Sequence, residues 1–420
     1  MTKNRSQAPE VGALQNISLV LPEIHNTESG LPIHVIREVP NDVFHVHIEF
    51  GAGKMQQTKP LTSSFTADLL FSGTNDLSQL EIQEKLDMQG AFVNVEAGMN
   101  RSSLHVYGLL NHFQSTFEIV KDVLENASFP EDKFEMHRKA ALQQHTINME
   151  KNAYVARREF LKALFPNNKL GEVAEESDFL NIKAKDCSEF YQEHLSKNVE
   201  QINIVGPISE EHIAILEEIF NNRYSKTTKA QKLDLTYHPV QQYIEKPKAM
   251  QTTIRIGRVL FTPKHEDYFE FDILETILGG YFGSRLMQNL REDKGYTYGV
   301  GSGITAYENT GYFFISTEVG KEHKDAAVEA IKHEINRLRE EEIGTDELDL
   351  ARAYIQGQIL KSTDGAFAQM SQFLFAKRFD LPQNHLNSFL ETLNKISPKR
   401  LQELAVKYLD WDKMVVVVVG

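Results

Sequence analysis

Apolar and polar residues follow the same order twice along the chain. In the first half the pattern predicts a strand, two helices and a second strand over residues 43–50, 61–71, 82–88 and 91–96. In the second half it predicts the same four elements over residues 252–259, 268–278, 284–292 and 296–301. Gly90 and Gly295 precede the later strand of each half and stand nearly half the chain apart. The pattern therefore indicates an internal repeat, as a duplicated structural unit produces.

Later segments extend this repeat to the end of the chain. Each half contains a turn, an acidic helix start and a long amphipathic helix, over residues 129–144 and 343–358. Each half then closes on an apolar strand that ends in glycine, QINIVG and MVVVVVG. The polar residues 223–247 lack helical periodicity and are interpreted as a linker. We therefore predict an N-terminal domain over residues 1–222 and a C-terminal domain over residues 248–420, both of the α+β class.

Composition narrows the class of protein. The chain of 420 residues is long enough for two hydrophobic cores, and its formal net charge of −14 disfavours nucleic acid and anionic membranes as partners. The single cysteine, Cys187, excludes an intramolecular disulfide and is usual in a reducing compartment. No stretch has the apolar length of a membrane helix, and residues 1–16 lack the apolar run of a secretory signal. We therefore expect a soluble, cytoplasmic protein.

Two longer segments carry a resemblance to a known family. The residues LLFSGT (69–74) and EIQEKLDMQGAFVNVEAG (81–98) resemble the segment that follows the inverted zinc motif H-x-x-E-H in the pitrilysin family. The residues ILGGYFGSRLMQNLREDKGYTYGVGSG (277–303) resemble the second-domain signature of the same family, which includes the insulinases and the mitochondrial processing peptidases. The resemblance covers essentially the whole chain. It implies two homologous α/β-roll domains, each an antiparallel sheet with helices packed on one face.

The zinc motif of that family is degenerate in this chain. Counted back from LLFSGT, the motif falls on SFTAD, with Ser64 and Asp68 at the histidines and Ala67 at the general base. The third ligand falls near Gln143 and Gln144, neither of which is an acid. A zinc site of this kind needs two imidazoles, a carboxylate ligand and a glutamate base. We therefore expect this chain to bind no zinc and to hydrolyse no peptide alone.

Other histidines offer alternative metal ligands. His45, His47 and Glu49 share one face of a strand at a spacing that permits chelation. That face is more simply a solvated or chamber-facing side, opposite the apolar positions. His137 and His145 lie two helical turns apart, about 12 Å, which is too far for one ion. Neither set is predicted to replace the lost zinc site.

The second-domain signature keeps two residues that have a role in the family. Arg291, near a helix end, and Tyr298, in the following strand, match the pair that hydrogen-bonds the scissile carbonyl of the substrate and stabilises the developing oxyanion. The alternative is that Arg291 pairs with Glu292 or Asp293 and that Tyr298 is a packed strand aromatic. Gly279 and Gly280 are expected in the substrate-binding region, where they would let a helix approach the sheet; the motif of a phosphate loop is absent.

The resemblance implies a subunit that completes the active site of another chain. In two-chain members of the family, one subunit carries zinc and the other carries the arginine and the tyrosine. We therefore predict a heterodimer, or a dimer of heterodimers, with a zinc-bearing H-x-x-E-H homologue. This chain would bind the peptide substrate and contribute Arg291 and Tyr298 in trans, while zinc would lie on the partner and this chain would hold no cofactor. The alternatives are a structural member without proteolysis, like the core subunits of the respiratory bc complex, and a peptide-binding homodimer.

Overall fold

The computed structural model describes residues 14–225 and 233–420. The strands of the first half are β1 (Glu23–Asn26), β2 (Pro32–Ile36), β3 (Val43–Phe50), β4 (Phe92–Ala97), β5 (Ser102–Leu109) and β6 (Val199–Val205). Its helices are α1 (Thr62–Leu69), α2 (Gln79–Met88), α3 (Phe113–Asn126), α4 (Glu131–Met149), α5 (Asn152–Leu164), α6 (Glu176–Asn181), α7 (Ala184–Phe190) and α8 (Glu210–Phe220).

The second half repeats this alternation with fewer elements. Its strands are β7 (Gln241–Ile244), β8 (Gln251–Leu260), β9 (Val300–Ala306), β10 (Gly311–Gly320) and β11 (Val415–Val419). Its helices are α9 (Tyr268–Glu275), α10 (Lys324–Glu340), α11 (Thr345–Ser362), α12 (Gly365–Arg378), α13 (His385–Lys395) and α14 (Pro398–Tyr408). Two π-helical segments, Thr276–Gly280 and Met287–Asp293, follow α9. Among the described helices, none combines the length and the apolarity required to cross a membrane.

The described strands form two sheets, one from each half of the chain. The strand order is β1-β2-β6-β3-β5-β4 in the first sheet and β7-β11-β8-β10-β9 in the second. Most neighbours are antiparallel, but β2 pairs with β6 in parallel and β7 pairs with β11 in parallel. The predicted plan of two homologous helix-and-sheet domains is confirmed, and each sheet is mixed rather than purely antiparallel.

The two predicted glycines occupy corresponding turns. Gly90 has a φ angle of 61° and Gly295 has a φ angle of 63°, both in the left-handed region. Each follows the C-terminal end of a helical segment, where a left-handed residue without a side chain lets the backbone leave the helix without strain. The chain then enters the edge strand of its sheet, β4 after Gly90 and β9 after Gly295.

The segment that we predicted as a linker contributes a strand. β7 lies within residues 223–247 and pairs in parallel with β11, so the second sheet begins before residue 248. Its sequence, QQYI, is short and only half-buried, because β7 is an edge strand. Residues 226–232 of the predicted linker, like residues 1–13, lie outside the described residues.

Each sheet has its own helices on one face and a helix of the other half on the opposite face. Phe44, Val46 and Ile48 of β3 point into a core shared with α1, α3, α7 and α8. On the other face, Met370 of α12 packs against Ile36 and Val205 of the first sheet. Because a buried sheet must be covered on both sides, the second half supplies the missing layer of the first.

The second sheet is covered in the reciprocal way. Phe160 of α5 packs with Val415, Val417 and Val419 on one face of β11, while Val416 and Val418 join the core formed by the helices of the second half. This explains why the closing strand is an uninterrupted run of valines. In the repeat, α5 corresponds to α12, so the two halves exchange equivalent helices.

An ion-pair cluster joins the halves at their hairpin turns. Arg101, between β4 and β5, contacts Glu308 between β9 and β10. The same guanidinium lies 2.6 Å from Glu200 and 3.2 Å from Glu49. Arg378 of α12 is a second cation, 3.4 Å from Glu49. The corresponding hairpins of the repeat therefore meet through partly buried charges.

Candidate substrate-binding site

Helix α1 carries the degenerate zinc motif. The hydroxyl of Ser64 donates to the carbonyl oxygen of Leu61 at 2.9 Å, and the side chain of Ala67 is buried. The position of the third zinc ligand, Gln144 on α4, is similarly engaged, because its side-chain amide donates to the side-chain oxygen of Asn148 at 3.1 Å. These side chains make local hydrogen bonds or pack in the core. Asp68 is the one ionisable residue among them.

Asp68 has a partner that the sequence did not indicate. Its Oδ2 atom lies 3.3 Å from Nε2 of His137 on α4, and the ring of His137 packs edge-on against Phe65 at 4.6 Å. The two residues are far apart in the chain, and no motif connects them. Within the described part of the chain, no group of three histidine, cysteine, aspartate or glutamate side chains is placed to hold a metal ion.

A groove runs between α1, α2 and the edge strand β4. Its volume is about 220 Å³, and its lining includes Asp68, Phe71, Ile82 and Phe92. Phe92 is 62% exposed, although it is a large apolar side chain on a sheet edge. In the described sheet β4 pairs only with β5, so its outer backbone groups are available to an added strand. The groove thus combines an unpaired edge with an apolar wall.

The glycine pair of the second half lies at the corresponding edge. Gly279 is buried against β9: a side chain there would approach the hydroxyl oxygen of Ser302 to 2.4 Å. That hydroxyl donates to the carboxylate of Glu275 at 2.6 Å. A side chain at Gly280 would come within 3.1 Å of the Glu275 carboxylate. The two glycines therefore allow the helical segment after α9 to lie close to the sheet, as we expected; their predicted contact with substrate stays a prediction.

Arg291 lies on a π-helical segment and faces outward. Its guanidinium lies over the ring of Phe282 at 4.7 Å, and Phe282 is itself 64% exposed. Nε of Arg291 is 3.5 Å from the carboxylate of Glu292, which is a loose pair between exposed side chains. Surface pairs of this kind contribute little free energy. The arginine is consequently positioned by the aromatic ring and remains accessible.

We predicted that Tyr298 lies in a strand, and this is wrong. It lies in the loop before β9, which begins at Val300. Its side chain is 93% exposed, so the alternative of a packed strand aromatic is wrong. The loop is nevertheless held in place, because Thr297 donates to the carbonyl oxygen of Glu318 at 2.7 Å and accepts from the backbone N–H of Gly299 at 3.0 Å. An anchored backbone thus presents a phenol to solvent.

The histidine strand of the first half lies away from both of these surfaces. His45 and His105 share a hydrogen bond of 3.0 Å, and the ring of His47 stacks on His105 at 4.4 Å. Burial and the neighbouring His105 lower the pKa of His45 and of His47 to about 3. Glu49 is 2% exposed and pairs with Arg378 of the second half, whereas His47 and His105 line a cavity of about 370 Å³ between the halves, so this face is chamber-facing.

Sequence comparison identifies the family of the chain. Residues 35–176 match the model of "Insulinase (Peptidase family M16)", and residues 181–355 match the model of "Peptidase M16 inactive domain". The chain belongs to peptidase family M16. This agrees with the resemblance drawn from the motifs and with the duplicated fold.

Relatives of this M16 chain include an uncharacterized zinc protease, YmxG, of Bacillus subtilis, which is 23% identical over 86% of this chain and 89% of its own length. An uncharacterized zinc protease of Rickettsia felis is 22% identical over 72% of this chain and 74% of its own length. A crystal structure of a peptidase M16 inactive domain from Pseudomonas fluorescens has a TM-score of 0.85 at 21% identity, covering 95% of this chain and 98% of its own. The crystal structure of a protease from Helicobacter pylori has a TM-score of 0.82 at 15% identity. The match covers 96% of this chain and 100% of that chain.

Zinc is the metal that these relatives' names imply, and the residues of this M16 chain do not fit it. An inverted motif needs two imidazoles four residues apart on one helix face. Here those positions hold Ser64, whose hydroxyl is engaged by its own helix, and Asp68, whose carboxylate faces His137. Ala67 offers no base, and Gln144 offers no charge. The family's hydrolytic chemistry therefore cannot be assigned to α1 of this chain.

Proposed function

We propose that this chain is the zinc-less, substrate-binding subunit of a two-chain M16 metallopeptidase. In this assembly a partner chain carries H-x-x-E-H and the metal, and this chain places Arg291 and Tyr298 beside the substrate. The observation that carries the proposal is the presentation of this pair: a phenol that is 93% exposed on an anchored loop, and an arginine held over an exposed ring. Within the described part of the chain, the contacts of Arg291 are the loose pair with Glu292 and the ring of Phe282, both at the surface.

The chemistry of the pair suits the carbonyl of a peptide bond. A guanidinium and a phenol are both hydrogen-bond donors at neutral pH. Directed at the carbonyl oxygen of the scissile bond, they would stabilise the negative charge that develops there during hydrolysis. Donors of this kind contribute most when water is excluded, which a second subunit closing over the surface would achieve.

The surface around the pair also suits a protein partner. Phe282, Arg291 and Tyr298 are exposed on the segments that precede the edge strand β9, and Arg291 lies over Phe282. Aromatic residues and arginine are enriched at protein–protein interfaces and in their energetic centres. A substrate segment could extend the described edge of β4, since added strands gain main-chain hydrogen bonds with little sequence preference.

The test is reconstitution with a zinc-bearing M16 homologue from the same genome. We expect no peptide hydrolysis by this chain alone, a stoichiometric complex on size-exclusion chromatography with zinc on the partner only, and hydrolysis on mixing. A metal-free homodimer that binds peptides and gains no activity with such partners would contradict the proposal. That outcome would support the second candidate, a peptide-binding member, which the unpaired edge and groove beside α1 favour.

A further inference from the structure

A cleft that belongs to neither of these surfaces lies among α9, α11, α12 and α13. Its volume is about 370 Å³, at the lower end of the range for small-molecule sites. Aromatic rings form much of its wall: Tyr268, Phe269, Tyr354, Phe375 and Phe389. The degenerate motif, Arg291 and Tyr298 contribute nothing to its lining.

One carboxylate lines this aromatic cleft. Asp272 of α9 has neither an ion pair nor a side-chain hydrogen bond with any described residue, although it is more than half-buried. Burial raises its pKa to about 6, so the carboxyl is ionised in neutral solution. The titratable neighbours are Tyr268 and Glu275 on the same helix and His385 on α13, and none of them supplies a cation. A half-buried carboxylate without a counterion is costly unless something pairs with it.

A second polar group lines the cleft without a good hydrogen bond. His385 is 2% exposed, and neither ring nitrogen makes a hydrogen bond of good geometry with a described residue, although the backbone of Pro382 lies close enough to favour the protonated ring. Burial lowers its pKa, so the ring is neutral and offers one donor and one acceptor. Buried polar atoms are almost always satisfied, and leaving one unpaired is costly. A carboxylate without a counterion and an imidazole without a good hydrogen bond, both in one cleft, point to a ligand that pairs with them.

We propose that this cleft binds a small organic cation, a protonated primary amine on an aromatic or short aliphatic body. The ammonium group pairs with Asp272, and the body packs among the rings, whose negative faces attract cations. The neutral imidazole of His385 can accept a hydrogen bond from the same ligand. Anions are disfavoured, because Asp272, the carboxylate that lines the cleft, repels them.

The ligand's charge is tested on the unaltered protein. Binding of phenethylamine, 2-phenylethanol and phenylacetate is measured by isothermal titration calorimetry at about pH 7.5, where the amine is protonated. We expect phenethylamine to bind about 10-fold or more tightly than 2-phenylethanol, since a hydrogen bond between two charged groups is stronger than one to a neutral hydroxyl. Phenylacetate should not bind. Equal affinity for amine and alcohol, or no amine binding at millimolar concentration, would overturn the proposal.

A variant pair then locates the amine. Asp272→Asn removes the charge and keeps the shape, and we expect it to weaken phenethylamine binding about 10-fold or more without lowering the melting temperature. The matched control is Asp325→Asn, because Asp325 lies on α10 outside the cleft and its side chain is 91% exposed. Unchanged affinity in Asp272→Asn would place the amine elsewhere and overturn the proposal.

Discussion

Replacing Arg101 by methionine tests how the two halves are held together. Arg101 joins three carboxylates from separate parts of the fold: Glu49, Glu200 and, across the halves, Glu308. The side chains of Glu49 and Glu200 are 3% and 6% exposed, so water would only partly replace the lost guanidinium. Methionine keeps the apolar stem and removes only the charge.

The structure sets the size of the expected effect. Removing one partner of a buried ion pair costs about 3–5 kcal/mol, because the other charge remains buried. Arg378 still faces Glu49, but Glu200 keeps no ion pair within the described residues. Because Arg101 itself is 20% exposed, we expect a loss near the lower end of this range. The free energy of unfolding should fall by about 3 kcal/mol.

The assay is denaturant unfolding followed by two probes. Fluorescence of Trp411, the only tryptophan, reports the second half, and far-ultraviolet circular dichroism reports both. We expect coincident transitions in the unaltered protein and an earlier, separated transition in Arg101→Met. Lys395→Met is the control: it removes an exposed pair whose lysine is 77% exposed, and should change stability by less than about 0.5 kcal/mol. A loss below about 1 kcal/mol in Arg101→Met would refute the reasoning, because it would mean that the carboxylates are effectively solvated.

Three further predictions follow from the structure. His45 and His47 have folded-state pKa values of about 3, below the value of about 6.5 in an unfolded chain, so stability should fall as the pH is lowered below about 6.5. Between about pH 6.5 and pH 3, the free energy of unfolding should fall less in His45→Phe than in the control His238→Phe, which alters an exposed histidine. Equal pH dependence in the two variants would contradict this. Gly279→Ala should lose about 1–3 kcal/mol in thermal unfolding through its clash with Ser302, whereas Gly357→Ala, in open helical space, should be neutral or stabilising. Ser64→His combined with Asp68→His should create a two-imidazole zinc site measurable by metal titration, because α1 keeps its helical spacing; no gain in affinity would contradict this.

The sequence predicted those features that depend on local chemistry. The left-handed turns at Gly90 and Gly295 require residues without a side chain, so their positions mark corresponding turns in the two halves. The apolar face of β3 follows from strand alternation, and the loss of zinc ligands on α1 follows from residue identity alone. The close approach of Gly279 to the sheet was also predicted from its residue type.

Features that depend on distant contacts could not be predicted. The packing of α12 on the other half could not be read from its sequence. This helix has apolar residues on two sides, because Met370 packs on the first sheet and Phe375 lines the cleft. The pairing of Asp68 with His137 arises from two helices packing together, and no spacing rule relates them. Tyr298 resembled a strand residue because aromatic residues favour strands, but hydrogen bonds of Thr297 hold this segment as a loop.

The most direct test of the proposed function is kcat of the reconstituted complex with variants of this chain. We expect Arg291→Ala to lower kcat by about 10²-fold or more, as the loss of an oxyanion donor does, and Tyr298→Phe to lower it in the same direction. Two controls are used: Arg157→Ala, an exposed arginine on α5, and Tyr296→Phe, whose ring stacks on His323. Both controls should keep full activity. Full activity in a complex that carries Arg291→Ala together with Tyr298→Phe would contradict the central claim.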